Sequence, residues 1–193
     1  MVNPKICLIA SEHNFLNVFP IYDKLKEDFD STFIHINQFN DKNSFCSQGI
    51  QYSIIDSINE TKAGKFNINL YGKDNQEYLK DKDRVIDDLI SDREDLGKLG
   101  EIRDKLKLQF EKIKPDLVII FGDCISTLST SLTCKMLNID VAHIGSGLRS
   151  NDITCQNEVN RILIDNLTKY HFVTEQSGVD NLKEIGFIQN VFL

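Results

Sequence analysis

The feature that most constrains the fold of this chain is a series of short apolar runs, each followed by a polar turn and a helical segment. The runs are residues 5–10, 117–121 and 141–144. The helical segments that follow them are residues 15–29, 125–137 and 157–167. Short, almost continuous apolar runs of this length are typical of strands buried on both faces of a parallel sheet. The alternation predicts an α/β fold with a doubly wound parallel sheet, as one Rossmann-like domain over residues 1–193.

Weaker patterns add further elements. Segments 33–36, 171–174 and 191–193 are expected as strands, and 177–185 as a helix. Residues 66–70 alternate apolar and polar side chains, which indicates a half-buried strand or an extended segment. Another strand is possible at residues 52–55.

The charge-dense segment 73–114 carries apolar residues at helical spacing. It predicts two amphipathic helices, divided near Gly97 and Gly100, with their charges in solvent. An acidic interaction surface is the alternative.

Charge excludes some partners. The net charge is −7 and the pI is about 5.1, which argues against nucleic acid and against an anionic membrane surface. A small anionic ligand stays possible, because backbone N–H groups and one or two arginines can hold a phosphate whatever the net charge.

The cysteines argue for a reducing compartment. There are five, and no pair has C-x-x-C spacing, so the sequence predicts neither a disulfide framework nor a zinc or other metal site. Cys7 lies within an apolar run and is expected to pack as a small hydrophobe. No apolar stretch reaches 18 residues, and the N-terminus does not resemble a signal peptide, so we expect a cytoplasmic protein.

Candidate site residues follow the predicted strands, where ligands bind in open α/β sheets. Asp123 after strand 117–121 is either a helix N-cap or a group for ligand contact or proton transfer. His143 within its strand is either a core residue or a site residue. Arg149 follows the loop Gly145–Gly147, and such a guanidinium can bind a phosphate bidentately. A predicted helix begins near Glu158, Asn160 and Arg161. Its start could bind a pyrophosphate through backbone N–H groups and Arg161, or it could be an ordinary helix start at the surface.

Taken together, these motifs resemble a known family. The ordered set is K-P-D-L-V at 114–118, G-D at 122–123, His143, G-L-R at 147–149, N-R at 160–161 and Y-H-F-x-T-E at 170–175. This order closely resembles the non-hydrolysing UDP-N-acetylglucosamine 2-epimerases, strongly over about the last 80 residues. Upstream, N-I-N-L at 67–70 and Pro20 are weaker matches.

The resemblance implies the N-terminal half of a glycosyltransferase-B-like fold, an active site between two Rossmann-like halves, and no cofactor. It also implies a reaction that interconverts UDP-GlcNAc with UDP-ManNAc, or a related pair. In that reaction UDP leaves C1, the C2 proton is removed to give a glycal, and UDP returns after protonation from the other face. Asp123 and Glu158 are then the expected catalytic residues. The expected substrate-binding residues are His13, His143, Arg149, Asn160 and Arg161.

Three departures qualify this expectation. Gly145 stands where the family's H-V-E-A-G-L-R motif has glutamate, and Asn157 stands at the first glutamate of P-E-E-x-N-R. The family's G-T-R-P-E loop corresponds to residues 10–14, where His13 is the nearest stand-in for its arginine. Losing a general acid or base typically costs 10²–10⁴-fold in rate.

Two functions therefore stay open. One is a 2-epimerase homologue that is truncated before the second domain and poorly active or inactive alone. The other is a non-catalytic remnant that binds a nucleotide sugar or a partner protein. Besides a UDP-sugar, the expected partners are a second copy of the chain or a separate chain with the C-terminal half.

Overall fold

The structure, a computed structural model, describes residues 3–11, 15–37, 67–71 and 96–193. The strands are β1 (Lys5–Ser11), β2 (Asp30–Asn37), β3 (Asn67–Tyr71), β4 (Leu117–Phe121), β5 (Asp140–Ile144), β6 (Tyr170–Phe172) and β7 (Val191–Phe192). The helices are α1 (Phe15–Asp28), α2 (Leu96–Ile113), α3 (Ile125–Met136), α4 (Gln156–Leu167) and α5 (Gln176–Glu184). Three predictions lie outside the described residues, namely His13, the strand at 52–55 and the part before residue 96 of the two helices expected over 73–114.

The described strands form one sheet in the order β3-β2-β1-β4-β5-β6-β7. All neighbours are parallel except β2 and β3, which pair antiparallel with Ile34 opposite Leu70. This confirms the α/β fold with its parallel sheet. The described part of the alternating segment lies in strand β3 (Asn67–Tyr71), and the antiparallel direction of this strand at the sheet edge is a feature that the sequence did not predict.

Strand β1 shows why its residues 6–10 are apolar without interruption. Cys7 and Ile9 face one core cluster, which includes buried residues of α2, α3 and α4. Ile6 and Leu8 face the other cluster, on the side where α1 packs. Both faces of the strand are therefore covered, and successive side chains must all be apolar. The prediction that Cys7 packs as a hydrophobe is confirmed, since its side chain is fully buried.

Helix α2 corrects the prediction of a break at Gly97 and Gly100, because it runs unbroken from Leu96 to Ile113. Each glycine costs about 1 kcal/mol relative to alanine inside a helix. Against that cost, Ile102, Leu106 and Phe110 are buried along one face of α2, and burying each such side chain contributes about 1.5–3 kcal/mol. Tertiary packing thus outweighs the low helix propensity of the two glycines.

Helix α3 follows the central strand β4 and is rich in small hydroxyl residues. Its serines and threonines from 126 to 133 are buried. Thr130, Ser131 and Thr133 donate to the carbonyl oxygens four residues earlier. Ser129 instead donates across to the Leu99 carbonyl of α2 at 2.7 Å. Each of these four hydroxyls therefore has a carbonyl acceptor, so small polar side chains can be buried at the interface with α2.

Candidate functional site

The carboxyl ends of β4 and β5 and the first half of α4 gather most of the predicted site residues. Asp123 follows β4, His143 lies in β5, and Arg149 lies in the loop after β5. Asn160 and Arg161 lie in α4. Parallel strands bring their carboxyl ends to one edge of the sheet, which explains why residues far apart in sequence meet there.

Asp123 and Arg161 form an ion pair at this edge. Arg161 Nη2 lies 2.5 Å from Asp123 Oδ2, and the two side chains are 25% and 27% exposed. Asn157 Nδ2 donates to Asp123 Oδ1 at 3.4 Å. Desolvation alone would lower the pKa of Arg161, but the carboxylates of Asp123 and Glu158 outweigh it and raise that pKa. The structure therefore places a carboxylate and a guanidinium together where a ligand could reach both.

The backbone of Asp123 is held by α4. The turn begins at Gly122, whose φ of +88° is a region that glycine adopts readily. Asn160, which is fully buried, donates from Nδ2 to the Asp123 carbonyl at 2.9 Å. Gln156 in turn donates to Asn160 Oδ1 at 3.1 Å. Asn160 thus fixes the position of Asp123, and its predicted contact with substrate stays a prediction.

Glu158 is buried beneath the loop that precedes α4. It accepts hydrogen bonds from Ser150 N at 2.9 Å, Ser150 Oγ at 3.1 Å and Asn151 N at 3.2 Å. Arg161 Nη1 donates to it at 3.2 Å. Burial by itself raises the pKa of this carboxyl, but the donors outweigh burial and the pKa is lowered. The carboxylate is thus fully engaged, and its predicted catalytic role stays a prediction.

A second, buried cluster lies behind this pair and centres on Asp165, which sequence reasoning did not single out. Arg149 Nη1 donates to Asp165 Oδ2 at 2.8 Å, and Ser146 Oγ donates to Oδ1 at 2.5 Å. The Gly147 amide donates to Oδ2 at 3.1 Å. His143 Nδ1 lies 3.0 Å from Oδ1. Burial opposes ionisation, but His143 first, then Ser146 and Arg149, lower the pKa of Asp165 to about 2.

His143 and Arg149 therefore point inward, to this cluster. His143 Nε2 lies 3.1 Å from the Gly122 carbonyl oxygen, so the ring bridges Asp165 and the turn before Asp123. His171 also joins the cluster, with Nδ1 at 2.7 Å from Ser146 Oγ. Desolvation lowers the pKa of His171. The predicted substrate contacts of His143 and Arg149 stay predictions.

A sequence signal for Asp165 existed. Glu158, Arg161 and Asp165 stand at i, i+3 and i+7, so they share one face of α4. A charged stripe of this spacing ordinarily faces solvent, which is why it was not identified as buried.

The loop after β5 is shaped by its glycines. Gly147 has a φ of +81°, and a Cβ atom there would lie 2.4 Å from the Gly178 carbonyl oxygen. Asn181 of α5 donates to the Gly147 carbonyl at 2.9 Å. The close contact between this loop and α5 therefore requires glycine at 147.

Two properties of the described residues bear on ligand class. They contain no cluster of three or more histidine, cysteine, aspartate or glutamate side chains arranged to hold a metal ion. None of their helices is both long and apolar enough to cross a membrane.

The sequence model of the UDP-N-acetylglucosamine 2-epimerase family matches residues 83–193, which is more than half of the chain. The chain belongs to this family. A UDP-N-acetylglucosamine 2-epimerase of Methanocaldococcus jannaschii is 37% identical over 98 residues, which are 49% of this chain and 27% of that protein. A Pseudomonas aeruginosa UDP-2,3-diacetamido-2,3-dideoxy-D-glucuronate 2-epimerase is 35% identical over 95 residues, 47% of this chain and 27% of that protein.

Solved structures of the family share the fold. The M. jannaschii UDP-GlcNAc 2-epimerase in complex with UDP-GlcNAc and UDP matches with a TM-score of 0.64 and 25% identity, over 98% of this chain and 45% of that one. The chain spans less than half of the length of the relatives it matches. It therefore corresponds to the N-terminal half of a glycosyltransferase-B-like fold, as the motifs predicted.

Proposed function

We propose that this chain supplies the N-terminal half of a UDP-sugar 2-epimerase site and binds a UDP-N-acetylhexosamine at the carboxyl edge of its sheet. The observation that carries the proposal is the partly exposed pair of Asp123 and Arg161 at the end of the central strand. Family membership supports it, as does the match to a M. jannaschii structure that contains UDP-GlcNAc and UDP.

In the proposed reaction, Arg161 faces the diphosphate and Asp123 exchanges a proton with the sugar. The C1–O bond breaks and its electron pair leaves with UDP, while the C2 proton is transferred to a base and a glycal forms. Protonation of C2 from the opposite face and return of UDP to C1 then give the epimer. A guanidinium suits the leaving diphosphate because its negative charge grows as the bond breaks.

The charge of the site sets a condition on binding. Arg161 already contacts two carboxylates, Asp123 and Glu158. These three groups together carry a charge of −1 when all are ionised, which repels a diphosphate. A bound diphosphate must therefore compete with Asp123 for Arg161, and further cationic groups are expected from the remainder of the two-domain site.

Three of the other predicted residues have supporting roles in this proposal. Asn160 and His143 hold the turn that carries Asp123, and Arg149 holds the next loop through Asp165. A catalytic role for Glu158 would require its carboxylate to exchange some of its four hydrogen bonds for substrate.

A second candidate function is favoured by the residues at two positions. Asn157, at the position of a family glutamate, donates its amide to Asp123, and Gly145 offers no side chain at the other glutamate position. Both changes remove carboxylates that could move a proton. A non-catalytic chain that binds nucleotide sugar is the function consistent with that loss, acting alone, as a homodimer, or with a chain that carries the C-terminal half.

Calorimetric titration with UDP tests the binding that both functions share. Arg161→Gln is expected to weaken UDP binding by about 10- to 100-fold, because a hydrogen bond to a charged group contributes about 1.5–3 kcal/mol. Arg103→Gln is the matched control, since Arg103 pairs with Asp104 on the surface of α2. Unchanged affinity in Arg161→Gln, or no heat with the wild-type chain, would contradict the proposed site.

A further inference from the structure

We propose that Asp165 is a positioning residue that fixes the turn carrying Asp123, and that it acts through the imidazole of His143. The importance of Asp123 rests on the proposed function. The mechanical link from Asp165 to the turn rests on geometry alone.

The first step is the burial of Asp165. Its side chain is fully buried, and four groups converge on it: His143 Nδ1, Ser146 Oγ, the Gly147 amide and Arg149 Nη1. Charge-assisted hydrogen bonds are roughly twice as strong as neutral ones. A buried carboxylate with four such partners has one well-defined position.

The second step is the bridge made by His143. A carboxylate without a proton can only accept, so the 3.0 Å contact with Asp165 is donated by Nδ1–H. On the opposite side of the ring, Nε2 lies 3.1 Å from the Gly122 carbonyl oxygen. The ring is thereby held at both ends, and its far end fixes the residue immediately before Asp123.

The third step is that the same helix holds the turn at a second point. Asn160, also in α4, donates to the carbonyl of Asp123 itself. The turn is thus attached to α4 at two points. Asp123 is held directly by Asn160, and Gly122 is held through His143 and Asp165. Since Arg161 also lies in α4, one helix sets both the backbone of Asp123 and its ionic partner.

Nuclear magnetic resonance of the full 193-residue chain tests the link. In Asp165→Asn, we expect changed signals from the Gly122 carbonyl carbon and the Asp123 carboxyl carbon. His143→Gln should move the same two carbon signals. Because the effect passes through the imidazole, adding Asp165→Asn to His143→Gln should move them no further. Asp140→Asn is the control, since Asp140 pairs with Lys169 at the opposite end of β5.

Equal Gly122 and Asp123 signals in Asp165→Asn and Asp140→Asn would overturn the proposal, and so would additive shifts in the double variant. If Asp165→Asn does not fold, as judged by circular dichroism, His143→Gln decides alone, and unchanged Gly122 and Asp123 signals in it would overturn the link. If the link holds but UDP does not bind the wild-type chain, the proposed function fails and the positioning role stands.

Discussion

At the scale of single residues, Gly145 and Gly147 offer a matched comparison. Both have positive φ angles, +89° and +81°. A Cβ atom at 145 would have no neighbour within 4 Å, whereas one at 147 would lie 2.4 Å from the backbone oxygen of Gly178. Backbone oxygen cannot rotate away as a side chain can, so alanine at 147 forces the loop and α5 apart.

Gly147→Ala is therefore expected to destabilise the chain more than Gly145→Ala does. The left-handed backbone costs about 1–2 kcal/mol in either variant, and overpacking adds about 1–3 kcal/mol at 147 only. Urea unfolding of both variants measures the difference. Equal losses of unfolding free energy would show that the contact with Gly178 is not tight in solution.

Asp165 predicts a specific dependence of stability on pH. Its pKa is lowered from 3.8 to about 2 in the folded chain, so the unfolded chain binds this proton more readily. The stabilisation is fully present above the unfolded pKa, and it is lost as pH falls toward the folded value. The shift corresponds to stabilisation on the order of 2 kcal/mol.

Urea unfolding of wild type and Asp165→Asn between pH 6 and pH 2 tests this dependence. The difference in unfolding free energy between the two should be largest above pH 5, and should shrink by about 2 kcal/mol as the carboxyl of the wild type protonates. A difference that stays constant over this range would mean that the partners of Asp165 do not lower its pKa in the folded chain.

The contrast between Asp123 and Asp165 shows what the sequence could reveal of the site. The position of Asp123 at the carboxyl edge of the sheet was predictable because it follows the most apolar strand, and the motif order placed Arg161 in the same candidate site. The burial of Asp165 was not predictable from the charged stripe of α4, because burial of a charged residue depends on partners from two other segments. Its donors come from β5 and from the loop between β5 and α4, and nothing local in α4 indicates them.

At the scale of elements, the interface between α2 and α3 relies on small hydroxyl residues. Ser129 and Ser131 are both fully buried, but Ser129 donates to α2 and Ser131 donates within its own helix. Ser129→Ala is expected to cost about 1 kcal/mol of unfolding free energy, the usual contribution of one hydrogen bond. Ser131→Ala is expected to leave the unfolding free energy almost unchanged, because a hydroxyl that donates to a carbonyl of its own helix adds little to the stability of that helix. Chemical denaturation compares them, and a larger loss in Ser131→Ala would contradict the assigned contacts.

Strands and helices were predictable wherever apolar pattern and burial coincide. Leu117–Phe121 is apolar throughout because both faces of the central strand are covered, so this strand could be predicted from its sequence alone. Helix α2 shows the opposite case, since Gly97 and Gly100 favour a break locally and buried partners such as Phe110 override them. The antiparallel direction of β3 likewise depends on the pairing with β2, which no local pattern encodes.

At the scale of the whole molecule, the fold supplies one wall of the proposed site. The match to the M. jannaschii structure covers 98% of this chain but 45% of the other. In a two-domain enzyme, the second wall excludes water and fixes the substrate. Positioning of this kind contributes about 7–11 kcal/mol to lowering a barrier, so a single wall can bind a ligand and still leave the reaction slow.

The 193-residue chain is therefore expected to bind UDP yet to convert UDP-GlcNAc far more slowly than the 1–10³ s⁻¹ of ordinary enzymes. Incorporation of deuterium at C2 during incubation in D₂O is the sensitive measurement, because each elimination and return exchanges that hydrogen. The M. jannaschii epimerase serves as the positive control. Turnover at ordinary rates by these 193 residues would show that neither the second wall nor the carboxylates absent at Gly145 and Asn157 are needed. Slow exchange that disappears in Asp123→Asn would instead identify Asp123 as the group that moves the proton.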